Sequence, residues 1–520
     1  MPRNLSDAWY LGIDLGTGSC KSVIVDTEGK VLGFGVGQYE SSDVQAKWRE
    51  QNPEAMVSGL VQSAKVAMDD AAVSPDGCAG LSLGAALHGI LAIDKKGKPL
   101  TGVMTWADDR ASHQAKKIKG EIDPAVLYQE TGCPVHWMYP LYKILWIREE
   151  EPDIFRAADR FISAKEYMTK RLTGHYMVDY ALASGTGLLN VRTLKWNTTA
   201  LELAGIRAEQ LSPLCSPKET ISKIDPELAR QIGIPETTPF VLGSSDAANS
   251  NFGAGAVHPW QGTCMIGTSG AFRIISPKPI LDPLARGWCY VFDDDHWLVG
   301  GAINNGGVAL SWLQDAFNSA LKESKGAEPL SFDDLIRLAE QAGCGAQGVL
   351  CLPFFAGERS PNWNLNSRAM FFGLTLKHDA RHMARALLEG VSFRMRNLGE
   401  ILEEISGDIR QIRASGGFTR SSFWLQILSD TINREMVVPA WGETSGRGAA
   451  FWAMLGTGVL SDITEAIDKV ELSETYLPNE DRAQVYDNLF DIYKSLYGAV
   501  SPYFEGIAKI QEKLTGKNHL

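Results

Sequence analysis

The chain has 520 residues, too many for one hydrophobic core, so at least two domains are expected. With 44% hydrophobic and 22% charged residues, its composition excludes a disordered or fibrous protein. A formal net charge of −12 argues against nucleic acid or an anionic membrane as partner. An anionic small molecule remains open, provided that cations, backbone N–H groups or a metal gather to receive it.

The N-terminus shows no basic flank followed by an apolar stretch, and no uncharged apolar segment approaches the roughly 20 residues that span a bilayer. Eight cysteines lie scattered without a C-x-x-C pair, which points to reduced thiols rather than a disulfide framework or a zinc knuckle. A cytoplasmic location is expected.

In chain order, Trp9-Tyr-Leu-Gly-Ile-Asp14, Lys21-Ser-Val-Ile-Val-Asp26 and the run from Val31 predict a three-stranded meander with glycine-rich turns. Met56, Leu60, Ala64, Ala67 and Ala71 recur at helical spacing over 53–72. Cys78–Leu83 reads as a short buried strand. A related pattern restarts near 239: Pro239-Phe-Val-Leu-Gly-Ser-Ser-Asp246 predicts a strand ending in a carboxylate. Thr263–Gly270 predicts a strand and turn, and Ala271–Ile275 another strand. Both halves thus open with a strand-borne aspartate and a glycine-rich turn, which suggests a distant duplication with a boundary near 240. Further on, Met383, Leu387, Val391, Met395, Leu398 and Leu402 mark a long amphipathic helix. Residues 409–415 read as a strand, 420–433 as a helix, and Thr444–Ala453 as a small-residue helix start suited to close packing. The last sixty residues are polar and helical in pattern, without a chemical motif.

Four motifs carry chemistry. Asp14-Leu-Gly16-Thr17-Gly18-Ser19 is a turn whose glycines let backbone N–H groups face a phosphate. Asp14 just before it is placed to hold Mg²⁺, and Lys21 to reach a β- or γ-phosphate. A glycine hairpin without a ligand is the competing reading. Gly267-Thr268-Ser269-Gly270 repeats the argument in the second half. Ser245-Asp246-Ala247-Ala248 puts a carboxylate among small residues, where it can accept a hydroxyl proton during phosphoryl transfer; capping of the next helix is the alternative. Gly416-Gly417 offers a flat backbone surface to a planar base. No P-loop motif occurs.

In this order the motifs resemble the FGGY family of carbohydrate kinases, from Tyr10 to about Gly456. The resemblance implies an α/β fold of two ribonuclease H-like domains of the actin/hexokinase/Hsp70 (ASKHA) type with an interdomain cleft. Residues 1–240 would carry the sugar pocket and first phosphate turn, and 241–520 the catalytic aspartate and adenine site. It implies ATP and Mg²⁺ as cofactors, with Asp246 as general base and Asp14 and Asp246 on the metal side. Gly16, Thr17, Gly18, Ser19, Lys21, Gly267, Thr268, Gly307, Gly416 and Gly417 would contact ATP. His88, Asp108, Arg110, His136 and Asp246 would contact the sugar. Segments such as Thr105–Arg110 and Thr131–Leu141 are most similar to gluconate kinases of the family, so D-gluconate is the expected substrate. Arg110 is then the candidate for its carboxylate, unless it pairs with Asp108 or Asp109. A xylulose or polyol kinase and a non-catalytic ATP-binding switch are the rivals. No nucleic acid or membrane partner is expected, and a homodimer is left open.

Overall fold

The computed structural model describes residues 8–39, 41–45, 48–321 and 328–515. The chain divides into two compact units. The first comprises Met1–Pro259, Ile274–Val299 and Trp441–Glu471; the second comprises Trp260–Arg273, Gly300–Ala440 and Leu472–Leu520. The chain therefore passes between units several times, and Asp246, numbered beyond the expected boundary at 240, packs in the first.

The first unit is organised on a mixed six-stranded sheet in the order Thr220–Ile221, Phe240–Val241, Cys78–Ala85, Trp9–Leu15, Ser19–Asp26, Val31–Gln38. The three strands of the predicted meander pair antiparallel, while Cys78–Ala85 runs parallel to Trp9–Leu15 and to Phe240–Val241. Trp9–Leu15 is buried along its whole length, as a central strand covered on both faces must be. Helix Pro53–Ala71 starts where Asn52 accepts the Glu54 and Ala55 N–H groups, with proline at its first position. Its predicted stripe is inward: Met56, Leu60, Ala64 and Ala67 are all buried in one core with Leu11, Ile13 and Ile24.

The strand predicted over Pro239–Asp246 is shorter than expected. Phe240–Val241 pairs as a strand, and Ser245 adds one isolated bridge to Ala85. Beyond Val241 the Leu242 and Gly243 N–H groups turn to the carbonyls of Glu219 and Pro217, and Gly243 takes φ +71°. The apolar run is buried coil, and Asp246 opens helix Asp246–Gly253 instead of closing a strand.

In the second unit, Gln261–Ile266, Gln411–Ser415 and Glu435–Pro439 lie parallel in that order, and Leu472–Tyr476 joins the last antiparallel. The long helix is Ala380–Ser406, capped by Asp379, with Leu387, Val391, Met395, Leu398 and Leu402 buried. The C-terminal region departs from its polar, helical reading in two respects. Leu472–Tyr476 is an edge strand. Helix Glu480–Val500 buries Tyr486, Phe490 and Tyr493 around Phe393. Among the described residues, no helix is long and apolar enough to cross a membrane.

Candidate functional site

Three chain segments end at one level of the first unit's sheet. Asp14 is in register with Gly84 and Leu15 with Ala85 on the neighbouring strand, and Ala85 forms a bridge with Ser245. Strand pairing therefore delivers Asp14 and Asp246 together although 232 positions separate them in sequence. Ser245, not Asp246, is the cap: its hydroxyl accepts the Ala248 N–H. Asp246 occupies the first helical turn, half-exposed, with one carboxylate oxygen 2.8 Å from the Ala247 N–H. A carboxylate there is favoured by the partial positive charge of a helix N-terminus.

Helix Thr444–Gly456 completes this corner, and small residues are what allow it. A Cβ on Gly253 would sit 1.9 Å from the Thr444 carbonyl oxygen, and one on Gly448 2.0 Å from that of Asn249. The two helices touch backbone to backbone. Their contact brings Glu443 and Ser445, which sequence reasoning did not single out, beside Asp14. Asp14 is 8% exposed and its Oδ1 has no hydrogen-bond partner. Burial first, then the charges of Asp246 and Glu443, push its carboxyl up to about 7, against the opposing pull of Lys21 and a Ser445 hydrogen bond. Lys21, expected to reach a phosphate, is 2.7 Å from Glu443 and still 39% exposed.

The turn Gly16–Ser19 is closed by Gly16 N–H to the Ser19 carbonyl at 3.0 Å. The Gly16 carbonyl accepts from the Tyr39 hydroxyl and from Gln51 Nε2, which also donates to the Thr17 carbonyl. Trp106 Nε1 donates to the Thr17 hydroxyl at 3.2 Å. Gly18 is the exposed tip. Gln51, buried at 4%, is another residue that local pattern did not reveal.

Of the residues expected to meet a sugar, His88 follows the central strand with φ +68° and a half-buried ring. Its Nδ1 lies 2.6 Å from the Gly185 carbonyl, so Nδ1 carries a proton. The ring stands edge-on to Tyr139 and Tyr290, whose hydroxyls are 2.9 Å apart. His136 is 5% exposed and accepts the Met138 N–H at Nδ1, which places its proton on Nε2. Asp108 and Arg110, also expected to meet the sugar, pair with each other. Arg110 donates to both Asp108 oxygens, at 2.8 and 2.6 Å, and sits 2.7 Å from Glu50 with its side chain 3% exposed. Asp108 is fully buried and also accepts the Arg49 N–H. The internal pairing is the form this pair adopts, because two carboxylates already meet the guanidinium charge.

The second unit contains a cavity of about 730 Å³, within the range of small-molecule sites. Gly267, Thr268, Gly307 and Gly417 line it. The Gly267 and Thr268 carbonyls accept the Gly307 and Val308 N–H groups at 2.7 and 3.1 Å, locking the turn onto the start of helix Gly307–Leu321. Gly416 holds φ +96° against the Ile266 carbonyl, a conformation that excludes other residues. Phe332 and Ile336, from helix Phe332–Glu340, add an apolar wall opposite Phe418 and Trp424. That helix is marked in the sequence by its Ser331/Asp334 capping box and by Phe332, Leu335, Ile336 and Ala339 at helical spacing.

Comparison with known proteins identifies one family over both halves of the chain. Residues 9–253 match the family model described as the N-terminal domain of FGGY carbohydrate kinases, and 262–457 match the C-terminal domain. A gluconokinase of Bacillus licheniformis is 38% identical over 515 residues, covering 98% of this chain and 99% of that protein. A xylulose kinase of Bacillus subtilis is 27% identical over 493 residues, covering 94% and 96%. The crystal structure of a gluconate kinase from Lactobacillus acidophilus superimposes with a TM-score of 0.91 at 30% identity, covering 96% and 99%.

Proposed function

Because this chain belongs to the FGGY family of carbohydrate kinases, we propose that it phosphorylates D-gluconate with ATP, giving 6-phosphogluconate and ADP. The convergence of Asp14 and Asp246 at adjacent segment ends of one sheet carries the reading of the chemistry. Similarity to gluconokinases directs the choice of sugar.

In this reading Asp246 accepts the proton of the attacking hydroxyl as the new O–P bond forms and the bond to ADP breaks. Its half-exposed place in a helical first turn, among alanines, leaves room for a polyol. His88, with Nδ1 protonated by its hold on Gly185, presents Nε2 as an acceptor for a sugar hydroxyl. His136 offers the complementary donor at Nε2, suited to a sugar-acid carboxylate. Asp108 and Arg110 shape their loop from beneath. The turn Gly16–Ser19, with Lys21, receives phosphate, and the cavity beside Gly267, Thr268, Gly307, Gly416 and Gly417 takes the nucleoside.

Asp14 suits a divalent cation: a buried carboxylate with an unpartnered oxygen and a raised pKa lacks positive charge. Among the described residues no group of three or more potential metal-ligating side chains forms a cage. That fits Mg²⁺, which is commonly held by one or two carboxylates together with substrate phosphates. Asp14 and Asp246 would hold it, directly or through water, and when bound it neutralises charge on the phosphate oxygens.

Measuring ADP release over a panel of D-gluconate, D-xylulose, glycerol and no acceptor tests the reading. Gluconate should give the highest kcat/KM. Preference for xylulose would favour the ketose alternative raised by the xylulose kinase relatives, and turnover indifferent to any acceptor would end the proposal.

A further inference from the structure

Helix Pro140–Glu150 reads Pro-Leu-Tyr-Lys-Ile-Leu-Trp-Ile over its first eight residues, all of them buried. A lysine in the middle of such a run is costly unless its ammonium is satisfied. Lys143 has no exposed surface, and its Nζ donates to the carbonyls of Thr105 at 2.6 Å, His88 at 2.8 Å and Met104 at 3.4 Å. Burial lowers the Lys143 pKa to about 7 against the pull of the Asp108 charge, and in the protonated form three N–H donors meet three backbone acceptors, which leaves none for a ligand. The acceptors are informative. One belongs to His88, and the others lie immediately before Trp106 and the Asp108–Arg110 pair. A turn further along the same helix, Trp146 underlies the Arg110 guanidinium at 5.0 Å.

The two tied segments are the arms of one hairpin, in which the Leu100 N–H donates to the Ala92 carbonyl at 2.8 Å and the Ala92 N–H to the Thr101 hydroxyl at 3.1 Å. Ile90 and Met104 exchange backbone hydrogen bonds, at 3.1 and 2.8 Å, but past that bridge both chains turn away as loops. His88 sits there with φ +68°, a conformation uncommon for a residue with a side chain. From the geometry we propose that Lys143 is a positioning residue of the sugar site. Its ammonium draws the His88 and Thr105 carbonyls to one point and so fixes the separation between the His88 ring and the Trp106 indole. This rests on the proposed reading that His88 contacts the acceptor, and on the similarity of the segment Thr105–Arg110 to gluconate kinases, which puts Trp106 beside it. Trp106 also donates to Thr17 on the phosphate turn, so the same tie sets where the acceptor lies relative to that turn.

The test compares wild type with Lys143→Met and Lys143→Gln. KM is measured for both substrates, together with kcat, melting temperature and direct binding of gluconate without nucleotide. Displacing a substrate-contacting segment by about an ångström costs on the order of tenfold to a hundredfold. The expected result is a rise of that size in KM and Kd for the sugar with Lys143→Met, while KM for ATP is unchanged. Lys143→Gln keeps two donors and should fall between Met and wild type. A lower melting temperature with unchanged sugar KM would overturn the proposal, as would equal losses for sugar and ATP. If Lys143→Met fails to fold, Lys143→Gln decides by the same ratio of sugar to ATP effects. Wild-type protein that phosphorylates no sugar would instead overturn the underlying reading of the segments.

Discussion

Asp14→Asn separates what a site requires from what a fold prefers. In the folded protein burial and two neighbouring carboxylates raise this group from 3.8 to about 7. At about 1.4 kcal/mol per pH unit, that rise costs the folded state roughly 4 kcal/mol at neutral pH and above. The sign follows from proton binding. Between pH 3.8 and 7 the folded form holds a proton that the unfolded chain has lost, so stability falls as pH rises through this window. An amide of the same shape carries no such cost. Asp14→Asn should therefore melt several degrees higher than wild type at pH 8 without ligand, and the gap should shrink steadily as pH falls toward 4. Activity should be lost throughout, and Mg²⁺ with ATP should raise the melting temperature of wild type more than that of the variant. A variant that melts lower than wild type at pH 8, or a gap that does not change with pH, would refute the electrostatic reasoning.

Other outcomes follow from close contacts. Gly448→Ala places a methyl 2.0 Å from the Asn249 carbonyl oxygen; urea unfolding should show a loss of about 1–3 kcal/mol, with kcat reduced because the helix carrying Asp246 shifts. Gly416→Ala forces φ +96° on a residue with a side chain and meets the Ile266 carbonyl oxygen at 2.5 Å; steady-state kinetics should show KM for ATP rising while KM for the sugar is unchanged. Arg110→Leu leaves Asp108 buried with its main partner gone; a lowered melting temperature should accompany a raised sugar KM, whereas impaired gluconate binding at full stability would restore the direct carboxylate contact.

Much of the fold was legible where local pattern and burial agree. The meander from Trp9 shows because apolar runs alternate with glycine turns, and Pro53–Ala71 and Ala380–Ser406 show because a single apolar stripe faces the core. The strand expected over Pro239–Asp246 shrinks to Phe240–Val241 because an uninterrupted apolar run does not distinguish a buried strand from buried coil. Leu472–Tyr476 was missed for the opposite reason: Leu472 through Thr475 are exposed on a sheet edge and carry no alternation. The motif residues Asp14, Asp246, Gly267 and Gly416 were visible as small-residue turns. Glu443, Gln51 and Phe332 were not, since what recruits them is tertiary contact rather than neighbours in sequence. Lys143 left one trace, a lone charge in an apolar helix. Arg110 shows the limit of residue type as evidence: the same guanidinium suits a substrate carboxylate or an internal one, and only coordinates show which it meets.

The most direct test of the central claim is Asp246→Ala, measured for gluconate-dependent ADP formation and, separately, for ATP binding. The account predicts a loss of turnover on the order of 10³-fold with nucleotide affinity preserved. Turnover close to that of wild type would contradict it, because a carboxylate that is dispensable at that position does not accept the proton of the attacking hydroxyl.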